Sequence, residues 1–303
     1  MRRLLSATAT ASLLLAQTPV LAEGNADDIG VMSVSLKETI KPRFGFQGQT
    51  QGAGTPNQAG IGGFIPLFAG DNSVFFADVQ ANANFEDFNY YSSIVTTTVS
   101  GTTISTSSRL GYRWLNNSRS WMYGVNAGYD TRPMATGNAD TGYVHVTDKN
   151  TVFFQQAAFN AEAISDRWTF RAYGLFPTGD IEEKLNSTYS GGSLCTAGGD
   201  FGYHLTASTT VLAGYYYQDG DDGSVDGSGV KTALIFTPND IVQLSANYSF
   251  DPAFESRASL GITIRLGINK TRKRSNEVAK PQIKGLTATP VNRDIRVHDC
   301  CWG

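Results

Sequence analysis

The sequence predicts an all-β chain, a transmembrane antiparallel outer-membrane β-barrel of about twelve strands. Three observations carry that reading. Apolar and polar residues alternate with period two in run after run. The runs are about ten residues long, the length a tilted membrane strand needs. The links between them are short at one end of the proposed sheet and mostly long at the other, as in outer-membrane barrels.

The first residues, MRRLLSATATASLLLAQTPVLA, precede the strands and have a different character. A basic start at Arg2 and Arg3, an apolar run from Leu4 to Leu15 and a small-residue exit at Val20 and Ala22 read as a secretory signal peptide over 1–22. No cysteine sits at the exit, which argues against a lipid anchor. Residues 23–42 read as a periplasmic N-terminal segment, 43–267 as the barrel, and 268–303 as a basic C-terminal tail, either threaded through the lumen or disordered. Beyond the signal no apolar run approaches the roughly 18 residues of a spanning helix, so a membrane would have to be crossed by strands.

The expected strands cover 43–51, 59–68, 73–85, 104–115, 120–130, 151–164, 167–176, 193–206, 208–218, 228–237, 240–250 and 256–267. Phe75, Ala77, Val79, Ala81 and Ala83 oppose Phe76, Asp78, Gln80, Asn82 and Asn84. In the fourth strand Leu110, Tyr112 and Trp114 oppose Gly111 and Arg113; in the fifth, Tyr123, Val125, Ala127 and Tyr129 oppose Gly124, Asn126, Gly128 and Asp130. The second strand is the weakest, because Pro66 interrupts it. AGDN, NNSR, SD, the turn at Ala207 and PN are the short links; 86–103, 131–150 and 177–192 are long.

A soluble β-sandwich with a binding role would alternate too, but its outward face carries Lys and Glu. Here the polar face is Asn, Gln, Gly, Ser and Asp with a few Arg, as in a lumen, and Trp114, Trp121, Tyr129, Trp168 and Phe176 gather at strand ends like an interfacial girdle. Glycine is 32 of 303 residues, and charged residues are 17%, against about 25% in soluble domains. Residues 23–267 hold 14 basic and 24 acidic side chains, net −10; residues 268–303 hold 8 and 3, net +5. The residues expected to face the lumen are Asp78, Asn82, Arg109, Arg113, Asn126, Asp130, Glu162 and Arg171. The tail residues expected to meet lumen carboxylates or lipid head groups are Lys270, Arg272, Lys273 and Arg274.

Four segments resemble the β-barrel domain of inverse autotransporters, the intimin and invasin family: GGFIPLFAGDNSVFFADV (62–79), RLGYRWLNNSRSWMYGVNAGYD (109–130), FNAEAISDRWTFRAYGLFPTGD (159–180) and AGYYY (213–217). The resemblance implies a twelve-stranded barrel whose C-terminal segment leaves through the lumen to display a passenger. This chain departs from that pattern: the 36 residues after Gly267 hold no immunoglobulin-like or lectin-like domain. An extended chain covers about 3.3 Å per residue, so roughly 12 residues would cross a barrel about 40 Å tall. A porin-like passive channel is the alternative function.

Catalysis, metal and nucleic acid find little support. His145, His204 and His298 are the only histidines, with no G-x-S-x-G or H-E-x-x-H. His204 is read as structural. The tail HDCCWG holds metal-ligand types, but adjacent Cys300 and Cys301 suit one tetrahedral site poorly, and with Cys195 they are too few for a disulfide framework. The loop QDGDDGSVDGSG (218–229) lacks calcium-loop spacing and reads as a solvated turn; SSIVTTTVSGTTISTSS (92–108) reads as a hairpin turning at Ser100 and Gly101. No enzyme activity and no cofactor are expected, and export makes nucleic acid an improbable partner for the basic run. The expected partners are outer-membrane lipid and the outer-membrane assembly machinery, with the surface partner unknown.

Overall fold

A computed structural model describes residues 40–85, 101–136, 140–141, 144–145, 147–220, 226–239, 241–267 and 280–301. The expected signal and periplasmic segments, apart from residues 40–42, fall outside them, as do Lys270, Arg272, Lys273 and Arg274, residues 92–100 of the expected hairpin and the middle of the 218–229 loop.

The strands in chain order begin with β1 (Arg43–Gln49), β2 (Asn57–Ala69), β3 (Ser73–Phe85), β4 (Thr103–Leu115) and β5 (Trp121–Ala135). A two-stranded ribbon follows, β6 (Asp140–Thr141) and β7 (Val144–His145), then β8 (Thr151–Ser165) and β9 (Trp168–Thr178). Next come β10 (Glu182–Lys184) and β11 (Tyr189–Ser193), then β12 (Cys195–Thr206), β13 (Thr209–Asp219), β14 (Gly227–Phe236), β15 (Val242–Asp251) and β16 (Glu255–Gly267). A short helix, α1 (Pro281–Gly285), and β17 (Val297–Cys301) complete the chain.

Twelve of these strands close into one antiparallel barrel in the order β1-β16-β15-β14-β13-β12-β9-β8-β5-β4-β3-β2, with β2 returning to β1. Closure leaves no barrel edge with unpaired ladder groups. The fold is therefore the closed twelve-stranded barrel that the alternation predicts. Three details differ from expectation. Pro66 does not break the second strand: β2 runs on past it through a register shift between Pro66 and Phe68, where a residue without an N–H can leave the ladder. β5 extends to Ala135, shortening the loop that follows. The stretch 177–192, read as loop, contains β10 and β11, which form a separate three-stranded sheet with β17.

Alternation separates two solvents. In β4, Arg109, Gly111, Arg113 and Leu115 are buried while Leu110 and Tyr112 are exposed. Phe44, Phe46, Ile61, Val125, Phe159, Leu234 and Leu260 likewise lie on the outer face, Leu260 at 62% exposure. So much contiguous apolar surface is far beyond what soluble monomers carry. Near the short-turn end an aromatic belt crosses four strands: Tyr112, Trp114, Tyr123, Trp121, Phe170, Phe201, Trp168 and Tyr203 form a chain of ring contacts 4.6 to 6.3 Å apart. Amphipathic rings at one level are the signature of an interface between hydrocarbon and water.

The interior holds four apolar clusters. One, at the short-turn end, joins Ile40, Phe64, Val74, Phe76, Leu115, Met122 and Ile164 to Leu286. A second joins Met134, Val152, Phe154 and Leu185 to Ile295 and Val297, and a third gathers Ala53, Leu194, Ala253 and Phe254, both at the long-loop end. The fourth, Ala158, Tyr173, Leu175 and Tyr216, lies on the wall of β8, β9 and β13.

Gly128, opposite Arg109 in the β4–β5 ladder, has no room for a side chain: a Cβ there would overlap the Ser108 carbonyl oxygen. At Gly267 a Cβ would meet nothing within 4 Å. Overpacking costs about 1–3 kcal/mol or more. Gly128→Val is therefore expected to reduce the folded, heat-modifiable species sharply on electrophoresis while Gly267→Val leaves it at the wild-type level; equal yields would contradict this packing.

Candidate functional site

The barrel interior is occupied by the chain's own residues 281–297. This segment starts at the short-turn end, where the Gln282 side-chain amide donates to the Arg119 carbonyl (3.3 Å). Pro281 opens α1 at a position where no N–H is needed, and Lys284 sits in its last turn. The close approach of α1 to the wall requires Gly285, since a Cβ there would meet Met122 Sδ at 3.0 Å and Ile164 Cδ1 at 3.2 Å. Leu286, 1% exposed, fills the first cluster and contributes about 1.5–3 kcal/mol by leaving water.

Past Ala288 the segment has no regular secondary structure until β17, so most of its carbonyls have no ladder partner and need donors from the wall. Arginines supply them. Arg113 donates from Nη1 to the carbonyls of Ala288 (2.6 Å) and Leu286 (3.3 Å), and from Nε to Glu162 Oε1 (2.7 Å), its guanidinium lying 4.5 Å from the Phe76 ring centre. Arg109 is clamped by both oxygens of Asp130 (2.6 and 2.8 Å) and donates to the Asn292 carbonyl (3.2 Å). Gln156 donates to the same carboxylate (2.8 Å). Arg132 donates to the carbonyls of Ile295 (2.7 Å) and Gly54. Asp130 and Glu162 thus each fix a guanidinium whose other donors point at the segment.

The segment's own charges are also met. Arg293 Nη2 lies 2.7 Å from Asp78 Oδ1, with both side chains buried. Asp294 accepts from Gln58 (2.8 Å) and Gln49 (3.0 Å). Thr287 accepts from Arg43 (3.2 Å) and Thr289 from Arg265 (3.1 Å). Lys231, paired with Asp200 at 2.9 Å, reaches Asn292 Oδ1 at 3.4 Å. Arg296 donates to Gln218 (3.1 Å), lies 3.8 Å from Asp251 and stacks 4.3 Å from the Tyr216 ring centre. Beyond it, β17 joins β11 in register from Ser193↔Val297 to Tyr189↔Cys301, and His298 packs edge-on against Phe254.

The eight residues expected to face the lumen take different places. Asp78 meets Arg293; Arg109 and Arg113 meet the segment's carbonyls; Asp130 and Glu162 hold those arginines. Asn82 accepts from Gln47 (2.7 Å) and Asn126 from Asn160 (3.1 Å), ties within the wall. Arg171 lines a remaining cavity of about 470 Å³ between the segment and the wall of β9 and β12–β16. The interior is also less acidic than the summed charge of 23–267 suggests, because Arg132, Lys231 and Arg265 point into it as well. Those three were missed although the same alternation would have found them. Gln49 lies on the polar face of the first strand by the same alternation, opposite Phe44 and Phe46; Gln58, Asn292, Arg293, Asp294 and Arg296 carried no such signal. His204 has both ring nitrogens engaged, by Thr169 (3.0 Å) and Thr210 (2.7 Å). Cys195 is a free thiol. Among the described residues no group of three His, Cys, Asp or Glu side chains is placed to hold a metal.

Removing one partner of a buried ion pair costs about 3 kcal/mol or more, close to 100-fold in an equilibrium. In Asp78→Asn the Arg293 guanidinium loses its counter-charge, and tryptic cleavage at Lys284 or Arg296 is expected to rise by about that factor, since proteolysis tracks the opened population. Adding Arg293→Met should recover more than half of the protection. Wild-type cleavage rates in Asp78→Asn would contradict the pair's role.

No protein-family model and no curated protein sequence matches the chain. Solved structures do. A membrane protein crystallised in meso is similar over 86% of this chain and 100% of its own, with a TM-score of 0.61 and 12% identity. The KdgM porin (73% and 98% covered, TM-score 0.39, 7% identity) and the β-domain of the Bordetella autotransporter BrkA (74% and 98%, 0.38, 11%) are more distant. At these identities the likeness concerns the barrel fold.

Proposed function

We propose that the chain is an outer-membrane anchor that passes its own C-terminal segment through its lumen, from a periplasmic mouth to the cell surface, in the manner of the inverse autotransporters it resembles. The observation that carries this reading is the course of residues 281–301, which starts beside the short turn at Arg119 and ends paired to β11 among the long loops. Short turns face the periplasm and long loops the outside in bacterial barrels, which sets the direction. The apolar outer face and the aromatic belt support a membrane setting, the signal-like residues 1–22 support export, and lipid and the barrel-assembly machinery are the partners such a setting requires. The role is non-catalytic in this reading: the ring nitrogens of His204 meet threonine hydroxyls rather than a carboxylate that could make it a base.

The porin-like reading draws on one observation, the unfilled cavity beside the segment. Against open conduction stand the chain's own residues 281–297 in the lumen and the apolar packing of Ile295, Val297 and Phe254 at the long-loop end.

Two measurements separate the readings. An epitope placed after Trp302 is expected to bind antibody on intact cells; binding only after permeabilisation would overturn display. In planar bilayers the whole chain is expected to conduct little, and deletion of residues 268–303 to open a steady channel. A large steady conductance in the whole chain would favour the porin.

A further inference from the structure

The segment inside the barrel is off-centre. Its apolar residues Ile283 and Leu286 dock on Phe64, Phe76, Met122 and Ile164, the wall of β2, β3, β5 and β8. Most of the opposite wall, β9, β12–β16 and β1, faces a cavity of about 470 Å³ that also touches Gln58, Gln80, Asn82 and Ile164 and reaches the short-turn residues Ala207, Ser208, Thr237 and Asn239. Apolar clusters around Phe254 and Ile295 lie at the other end. The cavity is a vestibule within the roughly 300–1,000 Å³ of small-molecule sites.

Its charged lining is mostly of one sign. Arg43, Arg171, Arg265, Lys284 and Arg293 border it, against one carboxylate, Asp294, which already accepts two glutamine amides. Arg293 is matched by Asp78. Arg265 is not matched in that way: its donors go to Thr289, Gln47 and the carbonyls of Phe46 and Ile264, all neutral acceptors. Arg171 is the more telling case. Its ladder neighbours Glu162 and Asp200 have oxygens engaged by Arg113 and Lys231, and the buried Nε of Arg171 has no acceptor at all. Arg109, Arg113, Arg132 and Arg293 also keep a buried nitrogen without a hydrogen-bond acceptor, but each has other donors engaged by carboxylates or carbonyls, whereas the Arg171 side chain makes no hydrogen bond among the described residues, which is costly for a guanidinium.

We infer that this vestibule binds a small polyanion of the phosphate or pyrophosphate type, with Arg171 and Arg265 as its principal donors. The planar guanidinium fork matches phosphate oxygens, and a cleft lined by one sign of charge concentrates ions of the other. The vestibule's opening toward the periplasm rests on the orientation proposed above; the binding does not, so loss of surface display would leave this site standing.

The test uses the full chain purified in detergent and isothermal titration with inorganic pyrophosphate at constant ionic strength. Saturable one-site binding is expected. Arg171→Gln, which removes no hydrogen bond within the protein, is expected to weaken it about tenfold, the order for one lost charge-assisted contact. Arg171→Lys, which keeps the charge but not the planar fork, should recover only part of the loss, and Arg257→Gln, which removes the same charge at the far end of β16, should leave binding unchanged. Heat-modifiable migration of each variant checks that the barrel is folded. Absence of saturable binding in the wild type, or equal affinity in folded Arg171→Gln, overturns the assignment.

Discussion

An irregular peptide enclosed in a barrel has carbonyls that neither a helix nor a ladder satisfies, and leaving them bare in a dry interior costs far more than a typical net hydrogen bond returns. The wall solves this with guanidinium groups held by carboxylates. Asp130 orients Arg109, Glu162 orients Arg113, and the donors left over reach the carbonyls of Asn292, Leu286 and Ala288. Those pairs, with Asp78 for the buried Arg293 and two glutamine amides for Asp294, are what accommodate the segment among these strands.

The same constraint accounts for the asymmetry of the interior. Apolar side chains gather around α1 and Leu286, where the helix supplies much of the segment's own backbone hydrogen bonding. Where it has neither helix nor strand, arginines line the wall. At the long-loop end the segment regains a ladder by pairing with β11, and apolar side chains reappear around Ile295 and Val297. Backbone satisfaction thus passes from helix to guanidinium to sheet along one chain.

Much of the barrel was legible because period-two alternation is a local signal: Leu110 and Tyr112 against Arg109 and Arg113 need no knowledge of the partner strand. Pro66 misled because local propensity counts a missing N–H as a break, whereas a barrel wall absorbs it as a bulge. The inner residues were legible as a face but not by role, since nothing near Asp78 in sequence announces Arg293, 215 positions away. The segment was harder still. PQIKGLTATPVNRDIRV has no periodicity, and its main partners are backbone carbonyls, which every residue possesses and no composition reveals. The basic run 270–274 drew attention by charge, while the segment described inside the barrel begins at Pro281.

The central claim is that residues 281–297 lie against the inner wall. Paired cysteines at Gly285 and Met122, in a chain whose Cys195, Cys300 and Cys301 are serine, test it directly, because a Cβ at 285 would stand 3.0 Å from the Met122 sulfur. Mild oxidation of the folded barrel should join them nearly completely, seen as a reductant-sensitive shift after heat denaturation. Two thiols that stay free, in a barrel where cysteines at the ladder pair Leu115↔Met122 do join, would place the segment elsewhere and contradict the account.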